Sequence, residues 1–93
     1  MAKEMSFLCW KIMSKIQIHD IVALTVDTKA TLFPTSQPIL LRKGQIGTII
    51  EELDDGIAFE VEFADGDGQA YAMLAVLANN LMVLHEQPIL PVS

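Results

Sequence analysis

The clearest alternation of hydrophobic and polar positions runs through Phe59-Glu60-Val61-Glu62-Phe63. A period of two is typical of a β-strand that buries one face. The two rings and the valine should point inward, and the carboxylates of Glu60 and Glu62 should point outward. The flanking segments Asp54-Asp55-Gly56 and Ala64-Asp65-Gly66-Asp67-Gly68 have the composition of hairpin turns. We therefore predict a strand with a hairpin on each side.

Four further strands are predicted from apolar, β-branched runs bounded by turn residues: 17–27, 45–53, 71–76 and 81–85. Gly44 and Gly47 stand at the entrance to the run 45–53, where the backbone is free to bend. A single 3₁₀ turn is expected around residues 77–80, before the last strand. The residues expected in the core are Val22, Leu24, Ile46, Phe59, Val61, Phe63, Leu81 and Val83, with Ile18 and Val26 on the same face of the first strand.

The segment Thr28 to Leu40 contains two prolines and few strand-like pairs, so it is predicted to be a long connection. Its apolar residues indicate that part of it packs against the domain. The tetrapeptide Gln-Pro-Ile-Leu at 37–40 recurs at 87–90. The repeat is explained equally well by two similar edge segments or by chance.

Together these elements predict a mainly β fold, a small five-stranded SH3-like barrel with a 3₁₀ turn before the last strand. The order of elements divides the chain into a leader at 1–16, the barrel at 17–86 and an extended tail at 87–93.

The leader carries an apolar stripe at helical spacing, which predicts an N-terminal amphipathic helix. The stripe comprises Met5, Leu8, Cys9, Ile12, Met13 and Ile16. A helix packed on the barrel or on a neighbouring subunit is favoured over a membrane-surface helix, since the basic face is thin. Disorder of this chain end is the third alternative.

Composition favours burial against a partner. Hydrophobic residues make up 52% of the 93-residue chain, which is more than a domain of this size readily hides. The net charge is −6, which opposes contact with nucleic acid. The single cysteine excludes an internal disulfide and fits a reducing compartment, and no apolar run is long enough to span a membrane, so we expect a cytoplasmic protein.

Candidate chemistry is sparse, and we expect neither an enzyme nor a cofactor or metal site. Cys9 lies in an apolar segment, which disfavours a reactive thiolate. His19 and His85 fall where the first and last strands would neighbour each other, but no ligand-spacing motif accompanies them. The Asp-Gly turn at 64–68 lacks the downstream glutamate of a calcium loop.

The succession of motifs resembles a known family between Ile18 and Glu86. The motifs are Asp20-Ile21-Val22-Ala23-Leu24, Arg42-Lys43-Gly44-Gln45-Ile46-Gly47-Thr48-Ile49, Phe59-Glu60-Val61-Glu62-Phe63 and Leu81-Met82-Val83-Leu84-His85. They resemble short bacterial proteins, frequent in cyanobacteria, that are catalogued as a domain of unknown function. The resemblance implies an SH3-like barrel, no established activity and a gene in a mobile or accessory locus. The leader departs from the usual short start of this family.

The sequence therefore favours a non-catalytic protein-interaction or self-assembling module, most simply a homodimer or higher oligomer. Candidate interaction residues are Leu8, Trp10, Ile12, Met13, Glu60, Glu62, Ile89 and Leu90. A basic protein partner would suit the acidic residues. The alternative is an RNA-binding SH3-like domain that uses the Arg42-Lys43 turn, although no nucleic-acid binding is expected from the charge.

Overall fold

A computed structural model describes residues 16–91, which form a mainly β structure. The strands are β1 (Ile21–Leu24), β2 (Thr28–Thr31), β3 (Pro38–Leu41), β4 (Ile46–Leu53), β5 (Ala58–Ala64), β6 (Ala70–Leu77) and β7 (Leu81–Val83). Two 3₁₀ turns follow β4 and β6, at Asp54–Gly56 and Ala78–Asn80. The predicted N-terminal helix falls on residues outside the described part of the chain.

Five strands form one antiparallel sheet in the order β6-β5-β4-β1-β7. Strand β4 is the middle strand of this sheet. Its residues 46–48 pair with β1, and its residues 48–53 pair with β5. A β-bulge between Ile49 and Glu51 interrupts the second pairing, and bulges bend strands at such positions. Within residues 16–91 the edge strands β6 and β7 do not pair, so strand pairing does not close this sheet into a barrel.

Strands β2 and β3 form a separate hairpin, so the prediction of a connection without regular strands over Thr28 to Leu40 was wrong. The hairpin is joined to the sheet where the Phe33 N–H donates to the Tyr71 carbonyl at 2.9 Å. Leu41 at its end is buried in the core. Strand β2 has only four residues, two of which are lysine and alanine, and β3 begins at Pro38, so both strands carry little strand signal.

Strand β1 is shorter than the predicted strand over 17–27. A turn precedes it, in which the Asp20 carboxylate accepts a hydrogen bond from the Gln17 N–H at 2.9 Å. Ile18 and Val26 therefore lie outside the strand and are 50% and 44% exposed. The prediction that these two residues share one strand face with Val22 and Leu24 was wrong.

Most of the predicted core is confirmed. Val22, Leu24, Phe59, Val61, Phe63 and Leu81 are buried, and Val83 is half-buried. The placement of Ile46 in the core was wrong, because Ile46 is 56% exposed. Gly47 and Ile49 face inward instead, since the space against Val61 and Phe63 leaves no room for a side chain at position 47.

The predicted turns are confirmed. The 3₁₀ turn before the last strand lies at Ala78–Asn80. The turn between β4 and β5 uses positive φ values at Asp54, Asp55 and Gly56, which Asp and Gly tolerate. In the turn before β6, the Asp65 carboxylate accepts hydrogen bonds from the backbone N–H groups of residues 67 and 69.

Candidate interaction surfaces

The outer side of β4 and β5 carries an acidic face, which we define as Glu51, Glu60 and Glu62. The register places Glu60 directly opposite Glu51 on β4. Glu60 and Glu62 are half-buried and point away from the core, as the alternation predicts. Like charges directly opposite each other in a sheet are destabilising, so a cation brought to this face would relieve a repulsion.

A second surface, the apolar face, comprises Ile21, Ala23, Ile46 and Met82 on the outer side of β7, β1 and β4. Ala23 pairs with Ile46 on one side and with Met82 on the other. Ile46 and Met82 are 56% and 54% exposed, and Ala23 between them is buried. The face carries no charged side chain, which is unusual for the solvent side of a sheet.

Sequence reasoning missed the apolar face. Its only signal is that both alternating sets of β1 are apolar: Val22 and Leu24 point inward, while Ile21 and Ala23 point outward. A strand with apolar side chains at every position is typical of a strand that is covered on both faces of its sheet.

The C-terminal tail presents the two predicted interaction residues to solvent. Ile89 is 86% exposed and Leu90 is 73% exposed. The two copies of Gln-Pro-Ile-Leu differ in structure, because the first contributes to β3 and the second lies in a tail without assigned secondary structure. The predicted interaction residues Leu8, Trp10, Ile12 and Met13 lie outside the described range.

The three cations of residues 16–91 lie at one end of the β2–β3 hairpin. Arg42 and Lys43 follow β3. Lys29 lies in β2 and pairs with Leu40 in β3. The Lys43 N–H donates to the Asp27 carboxylate at 2.8 Å, which fixes this turn beside the start of β2. All three side chains belong to exposed residues, so the structure gathers cations that are separated in the sequence.

His19 and His85 both line one open pocket together with Asp20 and Glu86. The pairing of β1 with β7 places both residues at this pocket, since the Leu84 N–H donates to the Ile21 carbonyl at 2.8 Å. In the part of the chain that the structure describes, no group of three or more histidine, cysteine or carboxylate side chains is arranged to hold a metal ion. Between residues 16 and 91, no helix has the length and apolarity to cross a membrane.

Comparison with known protein families gives a match over most of the chain. The model of the family described as a domain of unknown function, DUF4926, matches residues 18–83. The chain belongs to this family. The match extends from the turn before β1 to the end of β7, so the DUF4926 domain includes both the apolar face and the acidic face. No curated protein and no solved structure gave a significant match.

Proposed function

We propose that this DUF4926 protein is a non-catalytic, self-assembling protein-interaction module, in which the apolar face packs against a second copy. The observation that carries the proposal is the cross-strand row of Ile46, Ala23 and Met82, with two large side chains more than half exposed. A contiguous apolar surface of this kind marks interaction sites more often than solvent-facing sheet.

A second copy is the occupant that fits the apolar face best. Two identical faces related by a two-fold axis bury one another, and none of the four residues of this face carries a charge. Full burial of an isoleucine or methionine side chain is worth roughly 1.5–3 kcal/mol before the costs of association are subtracted. Three such side chains per copy, Ile21, Ile46 and Met82, supply the apolar part of a dimer interface.

We also propose the SH3-like barrel as the architecture of this domain. Two observations support it: β4 pairs with both β1 and β5, and a 3₁₀ turn leads into β7. From the family resemblance and the single cysteine, we further propose a cytoplasmic bacterial protein encoded in an accessory or mobile locus.

The proposal is tested by sedimentation equilibrium on the full chain and on Ile46→Lys. A lysine on the apolar face places two charges against each other in a symmetric dimer, so we expect the variant to be monomeric at concentrations where the native chain associates. Ile57→Lys is the matched control, because Ile57 is 63% exposed and lies in the turn before β5, away from this face. A native chain that stays monomeric at high micromolar concentration would overturn the proposal.

A second candidate is RNA binding through the cations of the β2–β3 hairpin. The convergence of Lys29 with Arg42 and Lys43 supports it, since exposed cations supply the phosphate contacts of nucleic-acid binding. The net charge of −6 acts against it. Salt-dependent binding of RNA that is lost in Arg42→Ala/Lys43→Ala would favour this candidate.

A further inference from the structure

The apolar face is small for a surface that holds two copies together. It consists of four residues on three strands, whereas a stable protein–protein interface has roughly 20–30 residues on each side. The costs of association are subtracted from whatever free energy the burial of this face provides. A dimer built on the apolar face therefore needs a second segment of the chain in its interface.

The described part of the tail, residues 87–91, carries apolar surface of the required kind. Ile89 and Leu90 are 86% and 73% exposed, the two highest values among the large hydrophobic side chains of residues 16–91. No residue between 87 and 91 is charged. Because both side chains bury little surface in their own domain, most of the free energy of burying them is available to a partner.

The tail begins at the border of the apolar face. The Leu84 N–H donates to the Ile21 carbonyl at 2.8 Å, which extends the pairing of β1 with β7 by one position beyond Val83. Residues opposite each other in an antiparallel pair point to the same side of the sheet, so Leu84 lies on the side of the apolar face. The chain then bends at Glu86 and Gln87 and enters the tail. The tail is thus continuous with the surface that we propose as the dimer interface.

The tail does not cover the apolar face of its own chain. Ile89 of the tail and Met82 of the face are both more than half exposed in the same structure. Pro88 and Pro91 fix their own φ and favour an extended backbone at the residue before each of them. These restrictions disfavour the tight turn that would fold the tail back onto its own sheet.

A second copy lies within reach of the tail. The six residue steps from Leu84 to Leu90 span up to about 20 Å when extended, and two packed sheets lie about 10 Å apart. Leu90 is therefore able to cross from one sheet of a dimer to the other. Met82 belongs to the edge strand β7, at the margin of the apolar face, where a segment that arrives from beside the interface meets it first.

We propose that, in the dimer, the tail of each copy packs Ile89 and Leu90 on the apolar face of the other copy, beside Met82. The proposal rests on the self-association proposed above and names a second contact within the same interface. A two-fold axis makes the exchange reciprocal, so both tails and both faces are covered at once. The contact is stabilised by burial of apolar side chains, since none of the residues involved is charged.

The first experiment places charges on the tail. Ile89→Asp/Leu90→Asp brings two carboxylates to an apolar surface, so we expect the dissociation constant of the dimer to rise at least tenfold in sedimentation equilibrium on the full chain. The repeated tetrapeptide supplies the matched control. Leu40→Asp changes the leucine of the first Gln-Pro-Ile-Leu copy, which is 56% exposed on β3, and should leave association unchanged. Equal dissociation constants for the native chain and the tail variant would overturn the contact.

A disulfide test locates the contact and shows which copy each side chain belongs to. All chains carry Cys9→Ala, which removes the single native thiol. Chains with Ile89→Cys and chains with Met82→Cys are mixed under reducing conditions and then oxidised in a glutathione buffer. Mass spectrometry should show a mixed disulfide dimer, because the tail of one copy lies on the face of the other. In the control mixture Ile57→Cys replaces Met82→Cys, since Ile57 is 63% exposed away from this face, and the yield should fall at least fivefold.

The outcomes separate this contact from the proposed function. If Ile46→Lys dissociates the protein while the tail variant keeps the native dissociation constant, the apolar interface stands and the tail contact is overturned. Equal yields of mixed disulfide with Met82→Cys and Ile57→Cys also overturn it. A chain that carries both Ile89→Cys and Met82→Cys and forms its disulfide only within one monomer overturns the exchange between copies. A native chain that stays monomeric overturns the proposed function and, with it, this contact.

Discussion

The backbone of Gly47 lies so close to Val61 that a Cβ atom at position 47 would come within 2.6 Å of the Val61 Cγ1 atom. The same atom would lie 3.0 Å from the Glu62 carbonyl oxygen and from the Phe63 ring. The side chains of Val61 and Phe63 on β5 therefore pack directly against the backbone of β4 at Gly47. This contact determines which side of β4 faces the core.

We predict that Gly47→Ala destabilises the protein by about 1–3 kcal/mol, because the added methyl group overlaps the buried Val61 side chain and crowds the Glu62 carbonyl oxygen and the Phe63 ring. Chemical denaturation of the variant measures the change in the free energy of unfolding. Gly66→Ala is the matched control, since nothing lies within 4 Å of a Cβ there, and it should change stability by less than about 0.5 kcal/mol. Equal effects of the two substitutions would contradict the prediction.

Truncation of Phe63 should be far more costly than truncation of an exposed phenylalanine. Phe63 is 0% exposed in the core, so Phe63→Ala should lower the free energy of unfolding by about 3–5 kcal/mol. Phe33 is 47% exposed on the hairpin, and Phe33→Ala should cost much less. A loss below about 1 kcal/mol for Phe63→Ala would place the ring outside the core.

Ile16 is 8% exposed and belongs to the core cluster, although it precedes β1 by five residues. A chain that begins at Gln17 should therefore unfold at a lower denaturant concentration than one that begins at Ile16. Deleting a buried isoleucine side chain typically costs about 2–5 kcal/mol. Equal midpoints for the two truncated chains would show that Ile16 contributes nothing to stability.

The full chain should not bind RNA with micromolar affinity near physiological salt. The reason is the net charge of −6 and the position of eight of the twelve acidic residues between Glu51 and Asp67. A fluorescence titration with single-stranded RNA at two salt concentrations measures this. Micromolar affinity that weakens with salt would contradict the prediction and favour the hairpin cations as the site.

The β5 hairpins were predictable because their signals are local. Alternation from Phe59 to Phe63 and Asp-Gly turns on both sides depend only on neighbouring residues. Which side chains of β4 face the core was not predictable in the same way. Ile46, Ile49 and Ile50 offer apolar side chains to both faces, and the decisive contact at Gly47 involves a residue without a side chain.

The candidate surfaces were predictable only in part. Outward Glu60 and Glu62 follow directly from the alternation of β5. The apolar face requires the register of β1 with two other strands. That register is not encoded in residues that are close in sequence.

The pairing of Val22 with Val83 also has a consequence for synthesis of the chain. Strands β4, β5 and β6 are consecutive hairpins and are able to form as they emerge from the ribosome. Strand β1 emerges before them, yet its second neighbour, β7, is the last strand to be translated. A chain that terminates before Leu81 leaves Ala23 and Leu24 without their β7 partners and makes β1 an edge strand, which makes premature termination a source of aggregation-prone fragments.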